Sequence, residues 1–355
     1  MTETREKLLM TPGPTALPPE VREALGRPLV NPDVEAEFAA DYRRLLGKLA
    51  AVYGTDDEMV VLGGEGILGL EASVASLVAP GETVLCLANG LYGQGFADFV
   101  ETHGGDPVVH SPGETEPFDP AEVASLVDEH DPAVATMVHC ETPTGLLNDL
   151  DGVLEVLDDA GVITVVDAVS SLGGVSVPTE RIDVCLGASQ KCFSAPPGLA
   201  TAAVRDRAWA AMEAREPHSL YANFLPFRDV SDGFPYTHLT TEVVALDEAL
   251  GLLLDEGLDA VRERHAAAAA RCRERGAELG LETVPGPERS SPTVTAFAVP
   301  GRAESLQERL REEHDVLLAT GLGDGASDVL RVGHMGHSAR VDRVEETMDA
   351  LAAVL

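Results

Sequence analysis

Lysine is rare in this chain, and one lysine stands where arginine could not replace its chemistry. The 355 residues contain 25 lysines and arginines, of which Lys7, Lys48 and Lys191 are the lysines. Lys191 follows an apolar run within an otherwise uncharged segment, residues 184–198. Arginine stays protonated, whereas lysine can lose its proton and form a Schiff base with a carbonyl group. Lys191 therefore indicates covalent carbonyl chemistry, and the alternative is an ordinary surface lysine.

Three further features come before Lys191, each where a predicted strand ends. Residues 63–66, Gly-Gly-Glu-Gly, join a strand to a helix, and the free backbone N–H groups of a helix N-terminus suit a phosphate. Tyr92 offers a flat aromatic face, and Asp167 follows an apolar strand, where a carboxylate is costly unless it is paired. Alone, each could be an ordinary turn, a packing residue or a cap. Together with Lys191 they meet the requirements of pyridoxal 5′-phosphate, a lysine imine and an acidic partner for the ring nitrogen.

The elements that must position these residues alternate between short apolar strands and amphipathic helices. Predicted helices cover residues 33–53, 66–78, 94–102, 120–130 and 150–160. Predicted strands cover residues 59–62, 83–88, 107–110, 134–139 and 162–166. This alternation predicts a mostly parallel sheet covered on both faces, with the chemistry at the carboxyl ends of its strands.

The pattern changes from residue 241 onwards. A long helical stretch leads to predicted strands near residues 293–299, 315–318 and 329–332, and a last helix covers residues 338–355. We therefore predict an α/β fold with two domains. The large, mostly parallel-sheet domain covers residues 1–240, and a small C-terminal α+β domain covers residues 241–355.

Composition and charge exclude several classes of protein. The formal net charge of −35 is spread along the chain, which disfavours nucleic acid and anionic membranes as partners. Such acidity suits a salt-rich cytosol, where screening weakens self-repulsion, so we predict a halophilic protein. No apolar run approaches a membrane span, and residues 1–7 lack the features of a secretory signal. Five scattered cysteines without CxxC spacing indicate reduced thiols, so we predict a cytoplasmic protein.

Residues 187–198 contain Ser189, Gln190 and Lys191 followed by Pro-Pro-Gly, with Asp167 upstream. This arrangement resembles the class V, fold-type I aminotransferases, specifically their serine–pyruvate and alanine–glyoxylate branch. The resemblance covers nearly the full length and implies the fold-type I architecture, pyridoxal 5′-phosphate and a homodimer with shared active sites. The other matching segments are residues 11–15, 88–94, 139–145, 166–174 and 329–336.

The resemblance assigns roles to individual positions. It implies that Lys191 holds the cofactor and then shuttles a proton, that Asp167 pairs with the ring nitrogen, and that Tyr92 stacks on the ring. It implies that Arg331 grips the substrate carboxylate with its planar fork and that Gly13 lets the backbone approach the substrate. The other implied cofactor contacts are Gly64, Glu65, Gly66, Ile67 and Gln190 at the phosphate, Thr142 near the ring 3-oxygen, Val169, and Thr237 from the other subunit.

The chain departs from the branch at the phosphate turn and before Thr237. The branch often has Ser-Gly-His where this chain has Glu65, Gly66 and Ile67. A carboxylate that faces a phosphate dianion is repulsive, so we expect Glu65 to point away and Gln190 to bind the phosphate with backbone amides. The segment before Thr237 aligns ambiguously, so Phe234 or Tyr236 is an alternative contact to the partner's cofactor.

The predicted activity is transamination between a small amino acid, alanine or serine, and a 2-oxo acid, glyoxylate or pyruvate. One alternative is a cysteine desulfurase or another lyase on this fold, which would need a mobile-loop cysteine that residues 273–355 lack. A second is a non-catalytic binding protein, which would be expected to lose Lys191 or Asp167. His334 and His337, three residues apart beside glycine, are typical of a loop, so no metal is predicted.

Overall fold

The computed structural model describes residues 7–28 and 30–355, and residue 324 by its backbone alone. Residues 1–6, most of the segment in which no secretory signal was found, lie outside the described residues. The α-helices of the described part are α1 (Pro19–Ala24), α2 (Ala36–Tyr53), α3 (Gly66–Leu77), α4 (Leu91–Thr102), α5 (Pro120–His130), α6 (Asp151–Asp159), α7 (Asp206–Arg215), α8 (Leu225–Arg228), α9 (Thr240–Glu256), α10 (Leu258–Glu278), α11 (Ala303–Glu313) and α12 (Val341–Val354). Its strands are β1 (Leu8–Leu9), β2 (Glu58–Gly63), β3 (Thr83–Leu87), β4 (Asp106–His110), β5 (Val134–Val138), β6 (Cys140–Glu141), β7 (Leu146–Leu147), β8 (Ile163–Asp167), β9 (Val184–Ala188), β10 (Leu199–Val204), β11 (Glu282–Thr283), β12 (Thr295–Ala298), β13 (Val316–Leu317), β14 (Ala319–Thr320) and β15 (Val329–Val332).

The large sheet has seven strands in the order β2-β10-β9-β8-β5-β3-β4. Strands β9, β8, β5, β3 and β4 run parallel to one another, and β10 is antiparallel to both β2 and β9. Apolar side chains cover both faces, one packed against α2, α5, α6 and α9 and the other against α3, α4 and α7. The predicted α/β architecture with a mostly parallel sheet is confirmed.

Strand β10 and helix α7 were absent from the sequence prediction. The strand reads Leu-Ala-Thr-Ala-Ala-Val and is fully buried between two neighbours. Alanine has a low strand propensity, and only burial between β2 and β9 makes a strand of this segment.

The predicted start of α2 at residue 33 was wrong by three residues. Val34, an apolar residue within the predicted helix, is 79% exposed. The side chain of Asn31 accepts a hydrogen bond from the backbone N–H of Asp33, at 2.9 Å, and holds a turn before the helix begins at Ala36. Such local side-chain bonds compete with helical ones.

The C-terminal part forms a second, antiparallel sheet of four strands in the order β11-β12-β15-β14. Helices α10, α11 and α12 pack with it around their own apolar core. Helix α9 instead packs on α2, and Val243 and Leu246 belong to the core of the large sheet. The division at residue 240 stays a prediction.

The N-terminal segment contacts the C-terminal part of the chain and then reaches the carboxyl ends of the large sheet's strands. Strand β1 pairs in parallel with β13, and Met10 is buried in the C-terminal core. The Met10 carbonyl accepts the backbone N–H of Gly333, at 2.7 Å. Residues 11–15 then run towards Lys191, as the next section describes.

Candidate active site

A cavity of about 340 Å³ lies where strands β2, β8 and β9 end. It brings together most of the residues singled out in the sequence. Those that line it are Gly13, Glu65, Gly66, Ile67, Tyr92, Asp167, Val169, Gln190 and Lys191. Gly64, Thr142 and Arg331 lie just outside this lining, and Thr237 lies on the exposed surface.

Asp167 is the last residue of β8, so its side chain emerges at the floor of the cavity. The carboxylate is 6% exposed, and its Oδ1 accepts the backbone N–H of Val169 at 2.8 Å. Burial raises the pKa of Asp167 to about 6, while the N–H bond from Val169 and the nearby Lys191 lower it. A cationic N–H donor would relieve the cost of this buried charge, so Asp167 suits a protonated ring nitrogen.

Lys191 sits in a tight turn that follows β9. The turn is closed by hydrogen bonds from Ser194 N to Lys191 O and from Ala195 N to Ser189 O, both 3.0 Å. Lys191 Nζ donates to the Pro12 carbonyl at 2.6 Å. Burial and the Arg331 guanidinium lower the pKa of Lys191, whereas Asp167 raises it. A lowered pKa leaves more of the amine unprotonated, which is the nucleophilic form.

Gly13 meets Lys191 rather than open space. Its φ is +106°, and a Cβ there would lie 2.6 to 2.9 Å from the Cδ, Cε and Nζ atoms of Lys191. Only glycine adopts this backbone conformation at no cost and leaves room for the lysine. Gly13 therefore approaches the lysine side chain closely, and the predicted approach of its backbone to the substrate stays a prediction.

Tyr92 is placed by a buried carboxylate that the sequence prediction missed. Glu141 accepts the backbone N–H groups of Tyr92, at 3.2 Å, and Gly93, at 2.7 Å. It thereby caps α4, which begins at Leu91 rather than at the predicted residue 94. A Cβ at Gly90 would lie 2.4 Å from Glu141 Cδ, so glycine is required there. The only signal in the sequence was the position of Glu141 within the matching segment 139–145.

The turn between β2 and α3 differs from expectation at Glu65. Glu65 is the N-cap residue of α3, and its side chain lines the cavity instead of pointing away. Its Oε2 accepts a hydrogen bond from Gln190 Nε2 at 3.1 Å. The backbone N–H groups of Gly66 and Ile67 have no acceptor among the described residues, so they remain open to a ligand. Gly64 N–H is bonded to Gly198 O at 2.8 Å.

Arg331 and Thr142 lie next to the lysine and join the two sheets. Arg331, on β15, is 6% exposed and donates from Nε to the Thr320 carbonyl at 2.7 Å and from Nη1 to the Thr142 carbonyl at 3.5 Å. Its Nη2 makes no hydrogen bond within the described residues. The Thr142 and Ser170 hydroxyls are 2.5 Å apart. Arg331 is therefore held by its inner atoms, with the outer edge of the guanidinium open to a carboxylate.

Thr237 donates to Asp33 Oδ2 at 3.2 Å and does not reach this chain's own cavity. Of the two alternatives near it, Phe234 packs edge-on against Phe38 and Tyr42, and Tyr236 stacks on Tyr221 with ring centroids 4.5 Å apart. Which of them contacts a partner's cofactor stays a prediction.

His334 is a buried structural residue. Its ring nitrogens are 2.8 Å from Thr295 Oγ1 and 3.0 Å from the Pro292 carbonyl, and burial lowers its pKa to about 3. Within residues 7–28 and 30–355 no three histidine, cysteine or acidic side chains cluster in a way that could hold a metal ion. None of the described helices combines the length and apolar character that a membrane crossing needs.

The ring end of the cavity fits pyridoxal 5′-phosphate, because Lys191, Asp167 and Tyr92 supply the amine, the acidic partner and the aromatic face. The sheet and this site define a pyridoxal-phosphate-dependent fold-type I enzyme. Residues 11–341 match the family Aminotransferase class-V, so the chain belongs to the class-V aminotransferases. The predicted cofactor and enzyme class are confirmed.

Several characterised proteins are similar over almost the whole chain. The pyridoxamine–pyruvate transaminase of Mesorhizobium japonicum is 33% identical, over 94% of this chain and 87% of that protein. The alanine–glyoxylate aminotransferase of Oryctolagus cuniculus is 32% identical, over 99% of this chain and 93% of that protein. The crystal structure of ureidoglycine–glyoxylate aminotransferase from Bacillus subtilis has a TM-score of 0.95 at 28% identity, covering 99% of this chain and 93% of that one.

Proposed function

We propose that this enzyme transfers an amino group between a small amino acid, alanine or serine, and a small 2-oxo acid, glyoxylate or pyruvate. The observation that carries the proposal is the convergence of Lys191, Asp167 and Arg331 around one cavity. When bound, pyridoxal 5′-phosphate supplies an electron sink that stabilises negative charge at the substrate α-carbon. The residues of this chain supply binding, orientation and proton transfer.

Each of these three side chains has one task, and Tyr92 adds a fourth. Arg331 would hold the substrate carboxylate by the open edge of its guanidinium and so orient the α-carbon for reaction. Asp167 stabilises the positive charge on the ring nitrogen. Lys191, with its lowered pKa, would take the proton from the substrate α-carbon and return it to the cofactor's C4′. Tyr92 covers one ring face and excludes water.

A small monocarboxylic substrate is favoured by the charges around the cavity. Arg331 is the one arginine next to Lys191 that has an open edge among the described residues, and the cavity lining contains the carboxylates of Glu65 and Asp167. A second substrate carboxylate would have no further cation to pair with and would be repelled by these two carboxylates. Dicarboxylic donors such as aspartate should therefore react slowly.

The test is a panel of steady-state rates. The amino donors are alanine, serine, aspartate and pyridoxamine, and each is paired with glyoxylate, pyruvate and 2-oxoglutarate. Pyridoxamine is included because one relative is named for it. We expect kcat/KM for alanine or serine with glyoxylate or pyruvate to exceed that for aspartate with 2-oxoglutarate by at least about tenfold, the effect of one unpaired charge. Equal or faster reaction of the dicarboxylic pair would overturn the assignment to small substrates.

Cysteine desulfuration, the alternative activity on this fold, has less support than transamination. All five cysteines are buried, and burial raises the pKa of Cys86, Cys140, Cys185, Cys192 and Cys272. A persulfide-accepting thiol needs access and thiolate character. Incubation with cysteine and a reductant should release no sulfide above the rate of a Lys191→Ala control.

We further propose a homodimer in which Thr237 reaches the neighbour's active site. The support is that Thr237 faces away from its own cavity and that Leu220, Tyr221 and Leu239 are exposed apolar residues of the adjoining segments. Exposed apolar groups of this kind are typical of subunit interfaces. A halophilic source and a cytoplasmic location remain proposals that rest on the charge and composition of the chain.

A further inference from the structure

The phosphate end of the cavity contains a hydrogen-bonded pair that is unusual for an anion site. Gln190, 6% exposed, donates from Nε2 to Glu65 Oε2 at 3.1 Å. Both side chains line the cavity next to Gly66, the first residue of α3. The charged partner of this pair is a carboxylate, so it has the same sign as a phosphate.

Gln190 also has a buried acceptor with no donor. Its Oε1 is inaccessible to solvent and makes no hydrogen bond with any described residue. If the Gln190 side-chain amide were reversed, its Oε1 would lie 3.1 Å from Glu65 Oε2, and both atoms are acceptors. The bond to Glu65 therefore fixes the orientation of the amide. A buried acceptor without a donor is costly, and a ligand that donates a proton here would remove that cost.

A phosphate meets this demand poorly. It carries about −1.5 to −2 charges near pH 7 and its oxygens act as acceptors, as do Gln190 Oε1 and the Glu65 carboxylate. Lys191 is the only cation among the described residues that line the cavity, and it is engaged by Pro12 and needed for chemistry. A hydroxymethyl group fits better, since its O–H can donate to Gln190 or Glu65 while its oxygen accepts from the N–H of Gly66 or Ile67.

We propose that this end of the cavity recognises a neutral hydroxymethyl group, so that pyridoxamine and pyridoxal without a phosphate bind as exchanging substrates. The proposal rests on the proposed aminotransferase function and deepens it by naming an additional amine donor. Glu65 lowers the affinity for the phosphorylated cofactor, which still binds through the same ring contacts.

The reaction with pyridoxamine balances without another reagent. The C4′–N bond breaks and an N–Cα bond forms on the 2-oxo acid, while the carbonyl oxygen lost by the acid is matched by the aldehyde oxygen gained at C4′. C4′ is oxidised from amine to aldehyde, and the oxo carbon is reduced to an amine-bearing carbon. Lys191 carries one proton from C4′ to Cα. The products are pyridoxal and the amino acid.

The first experiment measures binding by absorbance. The full-length protein, freed of cofactor, is titrated with pyridoxal and with pyridoxal 5′-phosphate. We expect the Kd for pyridoxal to lie within about tenfold of the Kd for the phosphate, because like charges disfavour the latter. Glu65→Gln should tighten the phosphate by at least about tenfold and leave pyridoxal unchanged or weaker. Glu101→Gln, an exposed residue of α4, makes the same change in net charge and should alter neither affinity.

The second experiment follows turnover of pyridoxamine with pyruvate, detected as equal amounts of pyridoxal and alanine. The proposal is overturned if pyridoxal binds more than about a hundredfold more weakly than its phosphate and the ratio of the two Kd values is unchanged in Glu65→Gln. So does an enzyme that transaminates alanine in the presence of the phosphate but produces no pyridoxal from pyridoxamine. Failure of the proposed aminotransferase function would look different. The protein would then transaminate no amino acid, or show no absorbance change that depends on Lys191.

Discussion

Lys191 and Pro12 are joined by a 2.6 Å hydrogen bond from the lysine Nζ to the proline carbonyl oxygen. The next residue, Gly13, lies against the length of the lysine side chain. The N-terminal segment therefore holds the reactive amine in place before any ligand arrives. Orienting a nucleophile in advance removes part of the entropic cost of its reaction.

Substitution at Gly13 tests this arrangement. Gly13→Ala places a Cβ within 3 Å of the Lys191 side chain at a φ of +106°, so the lysine must move. We expect kcat to fall by about tenfold to a hundredfold, the effect of misplacing a reacting group by about 1 Å. Gly47→Ala, on α2 with open space around it, is the control and should leave activity unchanged and stability slightly raised. Equal kcat values for both variants and the wild type would contradict the positioning role.

Lys191→Ala should abolish the visible absorbance of the cofactor-loaded protein while the far-ultraviolet circular dichroism stays unchanged. The amine that forms the covalent bond is removed, and alanine fits a buried site without a new polar group. Lys48→Ala is a suitable control, because Lys48, on α2, bonds to Asp247 of α9 and does not line the cavity. Retention of the visible band in the Lys191 variant would show that another amine carries the cofactor.

Arg331→Lys should raise KM for the amino acid by about a hundredfold while the Kd of the cofactor changes by less than about threefold. Lysine keeps the charge but lacks the planar fork that binds a carboxylate with two parallel hydrogen bonds. The split between the two constants is the measurement. A fall in cofactor affinity without a change in KM would make Arg331 a structural residue that joins β15 to the Thr142 segment.

Glu141 should make stability depend on pH. Burial raises its pKa to about 7, and the N–H bonds from Gly93 and Tyr92 only partly offset this. Because the folded pKa is above the unfolded value, near 4.5, the folded state favours the protonated form. The contribution to stability is complete below about pH 4.5 and is lost as pH rises through 7.

The measurement is urea unfolding of cofactor-free protein between pH 5.5 and 8.5. Relative to the wild type, Glu141→Gln should gain stability as pH rises, by about 1–3 kcal/mol across this range. Comparing the two proteins cancels the effect of the other carboxylates. A difference that stays constant with pH would mean that Glu141 does not titrate there.

Salt and assembly should be linked if the protein is halophilic. Each protomer carries a net charge of −35, and at 0.01 M salt the repulsion extends over about 30 Å. We expect a dimer with full activity in molar salt, and dissociation or unfolding with loss of activity on dilution. Light scattering and activity across a salt series decide this. A fully active monomer would refute the shared site, and a dimer equally stable in low salt would remove the halophilic interpretation alone.

The sequence was sufficient for the parts of the site that depend on local order along the chain. Asp167 ends an apolar strand, residues 63–66 open a helix and Lys191 follows a buried strand, so their convergence follows from a parallel sheet. It was not sufficient where partners are distant in sequence. The cap of α4 comes from Glu141, 49 positions after Tyr92, and the partner of Glu65 is Gln190, 125 positions away. Strand propensity did not predict β10, because its alanines form a strand only where two neighbouring strands bury them.

The contact between the N-terminal segment and the C-terminal part also affects when the enzyme can become active during synthesis. The Leu9 carbonyl accepts the Ser338 hydroxyl at 2.9 Å, across 329 positions of the chain. At ribosomal rates of about 5–20 residues per second, residue 9 waits roughly 15–65 s before its partner is made. The large sheet can form during that interval, but β15, which carries Arg331, has not yet been made. A nascent chain that has folded its large sheet therefore still lacks the guanidinium that lies near Lys191.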